Sequence, residues 1–399
     1  MGVGRSLAAT VALSALLLQG CGTPVRLAPV PSAATSKALP AGIANARYFV
    51  DEEAAAMLEE GQRSVERERE ALGNARVGDQ LPPANFLAIS GGGDNGAFSA
   101  GLLVGWTAAG TRPEFKIVTG VSTGSLVAPL AFLGPSYDST LKEVYTTISK
   151  KDVFLDRGLT AAIFDDALSD TSPLFATISK HINTEMLAAI AREYDRGRLL
   201  LIGTTNLDAQ RPVIWNMGAI AASGKPGSLE LFRQILLASA AVPAAFPPVM
   251  IDVEIDGQHY QEMHVDGGAI AQMFLYPPTI QLREASRALN NNRERHAYLI
   301  RNGRLDPEWN AVERSTLTIA GRAISTMIHM SGINDLIRIW NTTQRDGVDF
   351  NLAFIGSNFE APRAGDFDPA FMSALFEYGY AQAARGNPWH KTLPFMKPR

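Results

Sequence analysis

The sequence predicts an α/β protein in which helices cover a largely parallel β-sheet. From about residue 85 onward, short apolar segments bounded by glycine or proline alternate with longer segments whose apolar residues recur at helical spacing. Hydrophobic residues make up 46% of the chain and charged residues 19%, as in ordinary globular proteins. Alternation of strand and helix segments along such a chain is typical of layered α/β folds.

The composition also limits the partners that we expect. The 399-residue chain has a net charge of −4, which argues against the basic face of a nucleic-acid-binding protein. It contains a single cysteine, so neither a disulfide framework nor a cysteine-built zinc site is expected. Because the sequence has no ligand cluster and no nucleotide-binding motif, we expect no metal and no organic cofactor.

Residues 1–20 have the pattern of a lipoprotein signal peptide. Arg5 is followed by an apolar run at residues 7–18, which is too short to span a bilayer as a helix. The Leu-Gln-Gly-Cys segment that comes next resembles a bacterial lipobox, which implies that Cys21 is lipidated and becomes the first mature residue. The same resemblance implies that Gly22, in place of an aspartate, favours transfer to the outer membrane over retention at the inner one, so we expect a lipid-anchored protein of the bacterial cell envelope. The alternatives are a buried cysteine, or myristoylation at the M-G-x-x-x-[ST] pattern that opens the chain.

Two segments of different composition follow the cysteine. Residues 21–49 are rich in Pro, Ala, Ser and Thr, which predicts a flexible tether without a core of its own. Residues 50–82 are rich in Glu, Arg and Ala, which predicts a charged helical arm that lies over the following domain. Consecutive prolines end this arm.

The remaining elements are predicted from apolar runs and from turn residues. Asp256-Gly257 is a hairpin signal within a β-rich stretch that ends at Asp266. We expect a catalytic domain at residues 83–300 and a C-terminal α/β extension at 301–399 that packs on it. The predicted strands are residues 86–90, 115–119, 198–204, 213–215, 297–300 and 348–355, and the predicted helices are residues 97–109, 123–133, 228–240 and 315–342.

A G-x-S-x-G motif lies between a predicted strand and a predicted helix. Its residues run from Gly120 through Ser122 to Gly124. In a nucleophile elbow the serine occupies a strained turn above the sheet, and the flanking glycines allow close packing. A serine that merely caps the helix is compatible with the same pattern, and it places the helix dipole beside the hydroxyl group.

A second glycine motif, Gly91-Gly92-Gly93-Asp94-Asn95-Gly96, also joins a strand to a helix. Such a loop can bind phosphate, but it lacks the lysine of a P-loop and the glycine spacing of a dinucleotide-binding fold. Its backbone N–H groups can equally stabilise an oxyanion, and a serine elbow about thirty residues later favours that function.

A serine nucleophile needs a base, and the sequence offers several candidates. Six histidines are available, yet none lies in a recognisable acid–base motif. Asp266 stands at a predicted strand end before Gly267-Gly268, which leaves its carboxylate approachable, although Asp-Gly-Gly alone is commonly a turn. His264 lies on the same strand face and is interpreted as a packing or hydrogen-bonding residue.

Four segments in this order resemble the patatin-like phospholipases: the glycine-rich loop, the serine elbow, the Ala-Ser…Pro…Phe-Pro-Pro stretch at residues 237–249, and the Asp-Gly-Gly box. The resemblance implies a three-layer α/β/α fold and a Ser122–Asp266 dyad without histidine. It also implies that the loop of residues 91–96 forms the oxyanion hole. One departure is Asn95, because the family often has Arg or Lys there.

We therefore expect a lipid acyl-ester hydrolase of the phospholipase A or lysophospholipase type. Its substrate would be a phospholipid or another acyl ester, met at a membrane through lipidated Cys21. Two alternatives stay open. One is an α/β-hydrolase triad in which His296, His329 or His390 is the base. The other is a non-catalytic envelope lipoprotein that only binds lipid.

Overall fold

The structure is a computed structural model that describes residues 25–73, 80–157, 166–288, 291 and 293–396. Twelve strands lie within these residues: β1 Leu39–Pro40, β2 Arg47–Phe49, β3 Ala84–Ile89, β4 Ile117–Val121, β5 Leu155–Asp156, β6 Ser169–Asp170, β7 Leu199–Asn206, β8 Arg211–Asn216, β9 Val249–Ile255, β10 Gln258–Asp266, β11 Arg295–Arg301 and β12 Asp349–Phe354. The α-helices of the same residues are α1 Ala54–Ala71, α2 Gly96–Ala108, α3 Thr123–Leu133, α4 Asp138–Thr147, α5 Lys150–Val153, α6 Ser172–His181, α7 Thr184–Asp195, α8 Met217–Ala222, α9 Ser228–Ser239, α10 Leu282–Ala288, α11 Thr316–Asp346 and α12 Pro369–Ala384.

Ten strands form one sheet, and its centre is parallel. Strands β7, β4, β3, β11 and β12 are neighbours in that order and pair in parallel. Antiparallel strands β8, β10, β9, β1 and β2 extend the sheet beyond β7. Alternate residues of β3 enter different cores: Leu87 and Ile89 pack with α2 and α3, whereas Phe86 and Ala88 pack on the side of α11. The protein therefore has the α/β/α layers and the largely parallel central sheet that the sequence predicts.

The pairing of β7 explains how two distant strand ends meet. One edge of β7 pairs with β8, and its other edge pairs first with β4 and then with β10. Strand β4 ends where Val121 pairs with Gly203, and β10 ends one residue further along, where Asp266 pairs with Thr204. Because β4 and β10 run in opposite directions along the same edge, their C-terminal ends face each other. Ser122 and Asp266 stand at this junction.

The prediction of a flexible tether is wrong for residues 25–49. Strand β1 pairs with β9, and β2 pairs with β8 through a register that includes Tyr48 opposite Ile214. Tyr48 and Phe49 are buried, and the buried guanidinium of Arg47 forms an ion pair with Glu262. An aromatic pair and a charged pair inside the fold hold this segment on the sheet. Cys21 and the signal-peptide prediction lie outside the described residues.

The helical arm and the C-terminal region both contact the central layers. Helix α1 packs through a few buried residues and through an ion pair of Glu68 with Arg293. Strand β12 joins the sheet, and α12 packs closely against α2, where Gly101 and Gly105 leave room for the backbone of α12. In the described part of the chain, no helix combines the length and the apolar character needed to cross a bilayer.

Candidate active site

Ser122 occupies a strained turn between β4 and α3. Its φ of 54° and ψ of −129° lie where residues with a side chain rarely occur. Gly120 and Gly124 allow this turn because a side chain on either would collide with backbone, at the Gly124 carbonyl and at the Ile89 carbonyl respectively. The local geometry is therefore that of a nucleophile elbow.

Ser239, at the end of α9, holds the backbone of this turn. Its hydroxyl accepts a hydrogen bond from the Ser122 N–H at 3.0 Å and donates one to the Gly203 carbonyl at 2.7 Å. The bridge ties the turn to β7, the strand whose edge positions Asp266. The serine of the Ala-Ser stretch thus fixes the elbow, a role that its sequence context did not reveal.

Asp266 lies against the Ser122 side chain with few other partners. Its Oδ1 accepts the Gly268 N–H at 2.7 Å, and Thr205 donates its hydroxyl hydrogen to the Asp266 carbonyl at 3.1 Å. Burial raises the pKa of Asp266 to about 6, although hydrogen bonds with the Ser122 side chain and the Gly268 N–H act in the opposite direction. The carboxylate is therefore a stronger base than an exposed aspartate and is still ionised at neutral pH.

The glycine-rich loop lies beside Ser122, but not all of its N–H groups can face a ligand. Gly91 donates its N–H to the Gln272 carbonyl at 3.0 Å, and Asn95 donates to the Gly92 carbonyl at 3.1 Å. Gly96 donates to carbonyls of the loop itself. The expectation that residues 91–96 act together is therefore too broad, because these three N–H groups are used within the fold.

The first three glycines of the loop have different neighbours: a Cβ atom on Gly91 would lie 3.1 Å from Cβ of Ser122. A side chain at Gly92 would collide with the Asn302 carbonyl, so the loop lies tightly against the segment after β11. Asn302 also donates its side-chain amide to the Ser90 carbonyl at 2.9 Å. Gly93 has a φ of 59° and lines the cavity that contains Ser122.

The side chain of Asp94 does not face the nucleophile. Its buried carboxylate pairs with Arg363 at 2.8 Å and accepts the Phe367 N–H at 3.1 Å. Burial raises the pKa of Asp94, although the charge of Arg363 and the bond from Phe367 oppose the rise. Asp94 thus joins the loop to the C-terminal region instead of entering the oxyanion site.

An apolar cavity of about 190 Å³ begins at Ser122 and runs beneath helices on one face of the sheet. Its walls are almost entirely hydrocarbon and include Leu126, Leu174, Ile178, Leu236 and Phe246. A cavity of this character suits an acyl chain better than a phosphate or a sugar.

The histidines proposed as bases are elsewhere. His296 pairs with Asp349 at 3.2 Å, His390 packs on the Phe354 ring, and the pKa of His329 is lowered by burial and by the Arg301 charge. His181 lines the cavity of Ser122, yet within the described residues no hydrogen bond joins a histidine to Asp266. Across the described residues, no three His, Cys, Asp or Glu side chains are grouped to hold a metal ion.

One family model matches the part of the chain that contains Ser122 and Asp266. Residues 87–277 match the family model described as patatin-like phospholipase, and no curated protein sequence matches the chain. This chain therefore carries a patatin-like phospholipase domain, the domain of a family of lipid acyl hydrolases.

Two solved structures are similar at 12% identity. VipD from Legionella pneumophila matches over 77% of this chain and 67% of its own, with a TM-score of 0.32. Human GIVD cytosolic phospholipase A2 matches over 71% of this chain and 51% of its own, with a TM-score of 0.28. The chain thus corresponds to about half the length of the human enzyme.

Proposed function

We propose that this protein hydrolyses carboxyl esters of lipids with Ser122 as nucleophile and Asp266 as the only side-chain base. The observation that carries the proposal is the junction of β4 and β10, which places a strained serine against a buried carboxyl group of raised pKa. Phospholipids or lysophospholipids are the proposed substrates, in keeping with the patatin-like phospholipase family whose model matches residues 87–277.

In the first half of the reaction the Ser122 hydroxyl attacks the ester carbonyl and transfers its proton to Asp266. The N–H groups of Gly92, Gly93 and Thr123 are the proposed donors to the oxyanion, because Gly93 and Thr123 line the cavity that contains Ser122 and Gly92 directly precedes Gly93 in the loop. Asp266 then returns the proton to the departing alcohol, and the acyl group stays on Ser122.

In the second half, water attacks the acyl-enzyme. Asp266 accepts a proton from this water and passes it to Ser122 as the fatty acid leaves. The apolar cavity holds the acyl chain in both halves, which keeps the carbonyl group beside the loop.

A fluorophosphonate probe and two variants test this proposal. We expect the probe to label the wild type but not Ser122→Ala, and Ser122→Ala and Asp266→Asn each to lose at least about 10³-fold in kcat on a short-chain ester. The double variant should lose little more than either single variant, because the two groups act as a unit. Full activity in Asp266→Asn would refute the dyad, and an unlabelled wild type that still binds fatty acid would favour the non-catalytic alternative.

We also propose that lipidated Cys21 anchors the protein at the outer membrane. Because Arg26 pairs with Asp208 and the Leu27 N–H bonds to Gln261, the segment between the anchor and the domain is short. Four residues span at most about 14 Å when fully extended, which would hold the domain against its bilayer. Fractionation should place the wild type with outer membranes and Cys21→Ser elsewhere; a wild type without lipid by mass spectrometry would contradict the anchor.

A further inference from the structure

The segment between β12 and α12 supplies one wall of the catalytic cavity. Phe367 of this segment lines the cavity together with Ser122 and Gly93, and its ring lies 6.2 Å from that of Phe154. The backbone of Phe367 has a φ of 53°, a left-handed conformation that is costly for a residue with a large side chain. Other contacts must therefore stabilise this backbone conformation of Phe367.

Asp94 of the glycine-rich loop supplies that restraint. One oxygen of its buried carboxylate, Oδ2, accepts both the Phe367 N–H and the Arg363 guanidinium, so a single atom fixes both ends of a five-residue turn. The carboxylate is 4% exposed, whereas residues 362–366 are exposed. The Ala364 N–H also donates to Asp368 Oδ2 at 2.9 Å within this segment, and the two bonds to Asp94 fasten the turn to the loop beside the nucleophile.

We propose that Phe367 determines acyl-chain specificity and that Asp94 is the residue that positions it. This inference rests on the proposed hydrolysis of acyl esters. With Asp94 ionised, Phe367 closes the cavity wall over the bound chain, and long chains gain apolar contact that short chains do not reach. Without the bonds to Asp94, the turn relaxes from its left-handed conformation and the wall opens.

Two matched pairs of variants separate these roles. Asp94→Asn keeps the shape of the side chain but removes its charge. Its control is Asp366→Asn, because Asp366 also pairs with Arg363, at 3.2 Å, but its side chain is 67% exposed and does not touch the loop. Phe367→Ala removes the ring that lines the cavity, and Phe371→Ala removes a neighbouring ring that stacks on Phe359 and Arg363.

The first measurement is tryptic cleavage after Arg363, which needs the turn to leave the surface and requires no substrate. We expect Asp94→Asn to be cut about tenfold faster or more than the wild type, because a charge-assisted restraint is lost, and Asp366→Asn to be cut at the wild-type rate. Equal rates for the two variants would overturn the positioning role of Asp94.

The second measurement compares kcat/KM for dodecanoyl and acetyl esters. The ratio should fall about tenfold in Phe367→Ala, fall in the same direction in Asp94→Asn, and stay at the wild-type value in Phe371→Ala. An unchanged ratio in Phe367→Ala would overturn the specificity role.

If the wild type hydrolyses neither ester, the proposed function fails, and the inference is then decided by binding of a fluorescent dodecanoic acid to the Ser122→Ala protein. Weaker binding of dodecanoic acid to the Ser122→Ala, Phe367→Ala double variant would support the proposal that Phe367 contacts the acyl chain, and equal binding would overturn it.

Discussion

Strand β10 carries two buried acids, Glu262 and Asp266, whose surroundings give them opposite properties. Both side chains lie on the same face of the strand, and the residues are only 1% and 4% exposed. Glu262 contacts two nitrogen bases, because Arg47 donates to it at 2.9 Å and His264 lies 3.2 Å away. Among the residues that the structure describes, the partners of the Asp266 carboxylate are the Ser122 hydroxyl and the Gly268 N–H.

The two pKa values follow from these partners. Burial would raise the pKa of Glu262, but the hydrogen bond with His264 and the charge of Arg47 outweigh it and lower the pKa to about 2. At Asp266 burial prevails, and the pKa rises to about 6. Both acids are buried, so the difference between them comes from the cation beside Glu262. With that cation Glu262 stays ionised, and without one Asp266 can exchange a proton in the working pH range.

The largest expected effect comes from removing the charge of Glu262. Glu262→Gln leaves the buried Arg47 guanidinium without its counter-ion, which should lower the free energy of unfolding by about 3–5 kcal/mol. Urea denaturation at pH 7 measures this loss. In the wild type, the contribution of Glu262 is present above the pKa of an unfolded glutamate and disappears as the pH falls through about 2. A change below about 1 kcal/mol would show that the ion pair is not the structural bond described here.

Replacing the carboxylate by an amide at Asp266 should raise the free energy of unfolding, whereas the same replacement at Glu262 lowers it. Because the folded-state pKa of Asp266 is raised, the ionised carboxyl destabilises the fold, so stability is lost as the pH rises through about 6. Asp266→Asn removes that cost, and the folded protein should gain roughly 2–3 kcal/mol at pH 8. The difference between variant and wild type should vanish below about pH 4. Urea denaturation at several pH values measures it, and destabilisation at pH 8 would mean that Asp266 has a cationic partner after all.

The rate of ester hydrolysis should report the same pKa. Asp266 must be ionised to accept a proton, so kcat/KM should fall about tenfold per pH unit below about pH 6 and level off above it. Glu262 is ionised throughout this range and should not contribute. A short-chain soluble ester is the suitable substrate because it avoids changes in a lipid surface with pH. A midpoint near 4 would place the base in a solvated environment.

Local sequence patterns predict the surroundings of Asp266 and Ser122 well. Ser122 and Asp266 lie at strand ends next to glycines, and the strand–turn–helix at residues 117–133 follows the predicted pattern within two residues. Asp256-Gly257 is the turn between β9 and β10, as predicted. Steric requirements of tight turns act between near neighbours, so glycine placement reveals them.

The pairing of Glu262, by contrast, depends on contacts between distant segments. Arg47 and Glu262 are 215 residues apart, and Arg47 lies in a segment whose Pro- and Ala-rich composition predicts a tether. Asp94 and Arg363 are likewise far apart in sequence. No periodicity encodes which cation meets which carboxylate, so the sequence of β10 alone could not show that Glu262 is paired and Asp266 is not.

Thr204 lies between the two acids, and its substitution should have the smallest effect on stability and activity. It pairs with Asp266 across the ladder, its hydroxyl oxygen accepts the Trp215 Nε1–H at 2.7 Å, and it lies 3.0 Å from Nδ1 of His264. Burial lowers the pKa of His264, so the ring is neutral. With Nε2–H donated to Glu262, Nδ1 accepts the Thr204 hydroxyl hydrogen.

Thr204→Val keeps the shape of the side chain and leaves the Trp215 donor and the His264 acceptor without a partner. The free energy of unfolding should fall by about 1–3 kcal/mol, while kcat of the folded enzyme stays within about threefold of the wild type. Thr205→Val is the matched control, because in the described part of the chain its hydroxyl bonds the Asp266 carbonyl alone, and the loss of that bond should cost about 1 kcal/mol. The midpoint of the pH–rate profile should not move in Thr204→Val, since the partners of the Asp266 carboxylate are untouched. A shift of that midpoint by more than about half a unit would mean that the Glu262 cluster reaches Asp266 electrostatically, and the two acids would then have to be treated as one coupled system.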